Sequence, residues 1–247
     1  MEQRVLGKSG VAVSVVGLGT WPMGGEWWGG TDDAESIRTI HRAQELGVTL
    51  FDTAEAYAAG HAEEVLGQAL VGRREQAVIA DKVAPNHFEP AQIREAFEAS
   101  CRRLQTDYID VYFLHWPNID LPISQAMSTL EALRSEGRIR AIGVSNFTSD
   151  EMRAAGEYGQ IDVLQPPYNM FWRFIEGDQL PYCQDNGIGV MAYSGLAQGL
   201  LTGELTRATT FPAGAQRPTT VLFQPGVYER CLDAVETLRP IAARAGL

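Results

Sequence analysis

The chain lacks what a membrane, a nucleic-acid or a disulfide-bonded protein would need. No apolar run among its 247 residues approaches the length of a bilayer-spanning helix. The opening MEQRVLGKSG has no apolar signal-peptide core. Basic residues are the minority, 20 Lys and Arg against 31 Asp and Glu. The resulting net charge of −11 argues against nucleic acid or an anionic membrane as partner, since both need a basic face. Three scattered cysteines, Cys101, Cys183 and Cys231, lack metal-ligand spacing and cannot all pair. They read as reduced thiols in a cytoplasmic protein, with no metal. No Gly-x-Gly-x-x-Gly follows the first apolar run, which disfavours a dinucleotide site of the Rossmann kind. None of these features sets an oligomeric state.

What the chain does have is sustained alternation of short apolar runs with helical patterns. Strands are predicted at 15–19, 48–52, 77–81, 108–115, 139–145, 161–165 and 187–194. Helical patterns follow at 31–47, 61–72, 90–105, 123–137, 149–159, 175–186 and 227–247. Runs such as VIA and VYF are apolar without alternation, as strands covered on both faces are. Seven βα repeats in about 250 residues favour a closed (β/α)8 TIM barrel over an open sheet. The expected organisation is one domain over 1–247. Residues 4–14 read as a hairpin turning at Gly7–Gly10, placed as a plug in the barrel's N-terminal end. The eighth strand–helix unit is missing: after Tyr193 come some thirty residues rich in Gly, Pro and Thr, then one helix. The expectation is a barrel whose last unit lies outside this chain or whose last portion is disordered.

Four polar residues fall at the ends of successive predicted strands. They are Asp52 and Tyr57 in LFDTAEAY, Lys82 in VIADK and His115 in VYFLHW. Singly each has an ordinary reading: a helix cap, a loop tyrosine, a solvated lysine, a core histidine. At neighbouring strand ends of a barrel they share one mouth. A phenol ionises near pH 10, and an ammonium about 4 Å away favours the phenolate by about 4 kcal/mol at an effective dielectric of 20. Asp52 would anchor Lys82, Lys82 would lower the Tyr57 pKa, and His115 would orient a carbonyl or relay a proton. Such a group exchanges protons but supplies no hydride, so reduction would need a nicotinamide.

Here the sequence resembles the aldo-keto reductases. The resemblance runs in order through GLGTWPMGG (17–25), FDTAEAYAAGHAEEVLG (51–67), IADKV (79–83), FLHWP (113–117), RAIGVSNF (140–147), LQPPYNMFWR (164–173) and MAYSGLAQGLLTG (191–203). It implies carbonyl reduction by NAD(P)H, with Asp52, Tyr57, Lys82 and His115 as the catalytic tetrad and Tyr57 as general acid. It implies that Ser145, Asn146 and Gln165 clamp the nicotinamide carboxamide and that Tyr193 stacks on the ring. Ser194, Leu196, Gln198, Gly199 and Leu200 belong to the run that resembles the family's pyrophosphate loop. NADP(H) is expected ahead of NAD(H) on family habit, because the loop that usually reads the 2′-phosphate is not in this chain. Trp21, Trp28, Trp116 and Phe147 are expected to line the substrate pocket, with Trp27, Tyr168, Phe171 and Trp172 on the rim. The implied partner is a small carbonyl compound, including open-chain sugars.

Two other functions fit parts of the pattern. A cofactor-holding regulatory subunit would keep the nicotinamide motifs without turnover. A barrel aldolase would use Lys82 as a Schiff-base amine, but GVSNF and AYS would then have no role.

Overall fold

The computed structural model describes residues 1–246. β1 (Gln3–Val5) and β2 (Ala12–Ser14) form an antiparallel hairpin with Gln3 opposite Ser14 and Val5 opposite Ala12. Seven further strands form one parallel sheet: β3 (Gly17–Gly19), β4 (Leu50–Asp52), β5 (Val78–Val83), β6 (Ile109–Leu114), β7 (Ile139–Ser145), β8 (Val163–Gln165) and β9 (Gly189–Val190). Each pairs with the next in chain order. The helices between them are α1 (Asp33–Glu45), α2 (His61–Ala69), α3 (Pro90–Leu104), α4 (Ile123–Ser135), α5 (Ser149–Gly156) and α6 (Gln179–Asn186), and α7 (Val227–Arg244) closes the order.

Strand alternation sorts side chains into two cores. Leu50, Ala80, Val111, Phe113, Ala141 and Val163 pack together on the inner face with Leu6, Val11 and Val13 of the hairpin. Phe51, Ile79, Tyr112, Leu114, Ile142 and Val144 face outward onto helix residues such as Leu66, Phe97 and Leu130. The inner face is tightly packed at Gly143, where a Cβ would stand 2.3 Å from the Phe113 ring. Local signals start the helices as expected. Asp32 caps α1 by accepting from Glu35 N–H at 3.1 Å, and Thr148 and Glu151 form a capping box at α5.

The hairpin plugs the inner core, as the sequence suggested. Gly7 sits at its turn with φ +52, and a Cβ there would meet Asp162 O at 2.3 Å and Gly189 N at 2.5 Å. Strand lengths differ from expectation at the sheet's end. The run predicted as 187–194 is strand only at Gly189–Val190, with an isolated bridge from Pro167 to Tyr193. β9 is an edge, bonded to β8 alone, so nothing on its far side holds 191–194 extended. Among the described residues β3 is the other edge, no eighth strand closes the sheet, and no helix is long and apolar enough to cross a membrane. A cavity of about 490 Å³ lies between the edges, from Tyr193 and Ser194 at the mouth to Leu6 and Val13.

Gly7→Ala tests the plug. Left-handed backbone costs a non-glycine residue about 1–3 kcal/mol, and the overlap adds overpacking. The expected result is a fall in Tm of about 5 °C or more by scanning calorimetry; an unchanged Tm contradicts this packing.

Candidate active site

Strand ends bring three of the four polar residues together. Asp52 is the last residue of β4, Lys82 the last but one of β5, and His115 follows β6. Tyr57 lies five residues beyond β4, on the loop entering α2. Because Ala80 packs inward and Ile79 and Val83 outward, Lys82 points into the barrel.

Lys82 Nζ donates to Asp52 Oδ1 at 2.7 Å, Thr53 O at 2.6 Å and Tyr57 Oη at 3.1 Å. These use all three donors of the ammonium. That matters because Lys82 is only 1% exposed, and a buried charge without partners would be severely destabilising. Burial opposes its charge, yet Asp52 and Tyr57 outweigh burial and hold its pKa above the ordinary lysine value. A permanently charged amine is no Schiff-base nucleophile, which disfavours the aldolase reading.

The expected lowering of the Tyr57 pKa is not found. Burial pushes the phenol up, Lys82 pulls it down, and Asp52 pushes it up again, leaving it above 10. The enclosure that brings the ammonium close also strips water from the phenolate, and the Asp52 carboxylate offsets part of the ammonium's field. Tyr57 is therefore a protonated phenol at neutral pH, a proton donor. Its loop is strained: Ala58 and Ala59 have φ of 50° and 51°. Gly24 passes so close that a Cβ on it would lie 2.9 Å from Ala58 Cβ. Glu55, unnoticed in the sequence, ties this loop to the next by accepting from Ala84 N–H at 2.6 Å and meeting His87 Nδ1 at 3.0 Å.

The His115 ring stands edge-on to Tyr57 with centroids 5.8 Å apart. Burial, then the Lys82 charge, lowers its pKa to about 3. The imidazole is neutral, so it can direct an N–H without carrying charge.

A hydrogen-bonded arc runs on from Asp52. Gln165 Nε2 donates to Asp52 Oδ2 at 2.6 Å, and Ser145 Oγ donates to Gln165 O at 2.9 Å. Asn146 Nδ2 reaches Ser145 Oγ at 3.0 Å and His115 O at 3.1 Å, while Tyr193 Oη donates to Asn146 Oδ1 at 2.8 Å. Burial pushes the Tyr193 phenol up to about 12, so it too stays protonated. No hydrogen bond from the described residues reaches Gln165 Oε1, which leaves one acceptor for an amide.

Beyond Tyr193 the backbone turns left-handed repeatedly, at Ser194, Ala197, Gln198 and Gly199. Such turns point successive N–H groups into one hollow and make an anion cradle. The N–H groups of Gly195 and Leu196 bond to no described residue. Asn169 Nδ2 holds Ser194 O at 3.0 Å, Arg217 Nε holds Gln198 O at 2.8 Å, and Thr220 Oγ1 reaches Gln198 Oε1 at 3.1 Å. Sequence reading missed Arg217 and Thr220 because the stretch around 204–226 has no periodicity, and gave Asn169 no role within LQPPYNMFWR. The Leu200 side chain is buried with Leu222 and Phe223 and can offer only its backbone, whereas Leu196 is exposed.

The aromatic residues divide. Trp21 stacks on Tyr57 at 6.0 Å and meets Trp28 edge-on at 5.3 Å, so these two form the wall beside the phenol. Trp27 and Trp116 are about half exposed at the mouth. Phe147 is not a pocket residue: at 2% exposure it belongs to the outer core. Phe171 and Trp172 pack on the small cluster containing Leu200, and Tyr168 Oη donates to Glu176 at 2.7 Å. Among the described residues no group of three or more His, Cys, Asp or Glu side chains could hold a metal.

Comparison with known proteins places this geometry. Residues 15–247 match the aldo/keto reductase family description. An NADH-specific methylglyoxal reductase of Escherichia coli (strain K12) is 38% identical, over 99% of this chain and 82% of its own length. A glycerol dehydrogenase from Gluconobacter oxydans superposes with a TM-score of 0.89 at 37% identity, covering 99% of this chain and 79% of that one. An aldo/keto reductase from Klebsiella pneumoniae, solved with NADP and acetate, has a TM-score of 0.71 at 40% identity, covering 82% and 70%.

The low His115 pKa has a measurable sign. The unfolded chain takes up its proton near the ordinary value of 6.5, the folded chain only near 3. The stability it contributes is present above about 6.5 and lost as pH falls toward 3. His115→Gln is expected to flatten the acid-side fall of Tm across that window. A Tm–pH curve parallel to the parent's contradicts a neutral buried imidazole.

Proposed function

The chain belongs to the aldo/keto reductase family, and on that premise we propose that it reduces aldehydes and ketones to alcohols with a hydride from a nicotinamide cofactor, Tyr57 giving the proton. The observation that carries this reading is the Lys82 ammonium bonded to both Asp52 and Tyr57 inside the barrel mouth.

The residues at the mouth fit the cofactor. The left-handed run from Ser194 to Gly199 suits a pyrophosphate, and the free Gln165 Oε1 suits the carboxamide N–H, beside Ser145 and Asn146. Tyr193, held by Asn146, offers its face to the ring. When bound, the nicotinamide supplies hydride to the carbonyl carbon. The chain's own groups do the rest. His115, neutral, directs an N–H at the carbonyl oxygen. Tyr57 Oη passes its proton to that oxygen as negative charge develops there, and the adjacent Lys82 charge stabilises the phenolate left behind. Asp52, fixed by Lys82 on one oxygen and Gln165 on the other, keeps the ammonium in place. Trp21 and Trp28 exclude water from one side of the phenol.

NADP(H) is proposed ahead of NAD(H). Family habit and the NADP-bound Klebsiella pneumoniae relative support it, although the Escherichia coli relative is named as NADH-specific. The substrate is a small uncharged carbonyl, in keeping with an aromatic wall and no cation at the phenol besides Lys82. Three buried free thiols support a cytoplasmic setting.

Two measurements test the reading. Tyr57→Phe is expected to lower kcat for a simple aldehyde by about 10²–10⁴ while cofactor Kd stays within about twofold. Full activity in that variant removes Tyr57 from its role. Fluorescence titration with NADPH and NADH is expected to give the tighter Kd for NADPH, and equal or reversed affinities overturn the preference.

A further inference from the structure

The mechanism uses Lys82 but not its neighbour Asp81. Asp81 faces the opposite way, outward between the sheet and helices α2 and α3, and is 0% exposed. Asp81 Oδ1 accepts the Lys82 backbone N–H at 2.8 Å, and Oδ2 has no partner. Glu63 on α2 meets it there, also 0% exposed. Arg103 Nε donates to Glu63 Oε2 at 2.6 Å, while Glu63 Oε1 has no partner. Two facing carboxyls, each with one bare oxygen in a dry layer, cannot both be ionised. One proton between the bare oxygens satisfies both at once.

On β6, Tyr112 is the direct neighbour of Asp81 in register, is fully buried, and its hydroxyl has no partner. On α3, Ser100 and Cys101 are neutral, and the Arg103 guanidinium, which faces the pair, is committed to Glu63. From the barrel side come Lys82 and Tyr57, and from the β4 loop Glu55, a further negative charge. Burial first, and then the Glu63 charge, raises the Asp81 pKa well above the ordinary carboxyl value, and burial raises that of Glu63 too, so the facing pair holds one proton.

The pair joins the carriers of the two key groups. Asp81 adjoins Lys82 on β5. Glu63 sits six residues after Tyr57, on the helix that the Tyr57 loop enters. Between them Gly60, with φ +93, rests on the Arg103 side chain, where a Cβ would stand 2.4 Å from Nε.

We propose that Asp81 and Glu63 share a single buried proton, and that this hydrogen bond is a pH-sensitive latch holding the Tyr57 loop against Lys82. Loss of the proton leaves two facing carboxylates, which repel and free the loop. The pair acts through Lys82 and Tyr57 and touches no substrate, so both acids are positioning residues. The effect on turnover rests on Tyr57 as proton donor; the shared proton itself does not.

Asp81→Asn tests the latch, because the amide keeps both bonds with a hydrogen that never titrates. A carboxyl whose folded pKa is raised gives stability that is full below its unfolded pKa and is lost as pH rises to the folded value. Wild-type Tm is therefore expected to fall, relative to Asp81→Asn, from the ordinary carboxyl range upward. The infrared band of a buried protonated carboxyl is expected at neutral pH in the wild type and not in Asp81→Asn. Parallel Tm curves, or no such band in the wild type, overturn the shared proton. In turnover, Asp81→Asn is expected to keep kcat within about threefold at neutral pH and to extend the alkaline limb, whereas Asp81→Leu loses about tenfold or more in kcat with smaller changes in KM. Wild-type kcat and pH profile in Asp81→Leu overturn the positioning role even with the shared proton intact. Full activity in Tyr57→Phe removes the proton-donor reading and leaves the Tm and infrared results standing.

Discussion

A single buried ammonium organises this molecule's working end. Lys82 is surrounded by protein, and its three hydrogens are distributed over a carboxylate, a backbone carbonyl and a phenol. A charge in such a place is tolerated only when its partners are fixed first. The fold fixes them by strand register. Asp52 pairs with Ala80, two residues from Lys82, and Lys82 pairs with Phe113, two residues from His115. The geometry around Lys82 is thus a by-product of parallel pairing in one inner layer, and the hairpin plug that fills this layer from below supports it.

The same ammonium links the Tyr57 phenol to the polar arc of Gln165, Ser145 and Asn146. Asp52 is held by Lys82 on one oxygen and Gln165 on the other, and Gln165 continues through Ser145 and Asn146 to Tyr193. A change in any one of these amides or hydroxyls is felt at the phenol, because the links are short bonds between buried and half-buried groups. Electrostatics divides the labour. Enclosure keeps Tyr57 and His115 uncharged, and the Lys82–Asp52 ion pair stands beside them.

Much of this was legible in the residues. Parallel strands buried on both faces announce themselves as unalternating apolar runs, so the βα order, the hairpin at Gly7–Gly10 and the tetrad positions could be read directly. What escaped reading was whatever depends on the third dimension. The ionisation of Tyr57 was misjudged because a sequence shows that a lysine is near and does not show how much water is lost. Phe147 looked like pocket wall because it adjoins Asn146, yet the turn at Asn146, with φ +65, sends it into the outer core. Asp81 drew no notice beside Lys82, although an acid in a mostly apolar strand with the wrong parity for the inner face was a signal in plain view. Arg217 and Thr220 lie in a stretch without periodicity, and their bonds to Gln198 obey no spacing rule.

The close approach of Gly24 to Ala58 constrains how this site can drift over generations. Only one of the two positions can carry a methyl group at that spot. Ala58 already holds it, in a left-handed conformation that glycine would adopt without strain. Alanine at position 24 is thus admissible only in a background that has first exchanged Ala58 for glycine, and the reverse order passes through a clash beside the proton donor. The two positions form an epistatic pair with one permitted sequence of steps, so descendants of this chain are expected to carry a glycine in at least one of them.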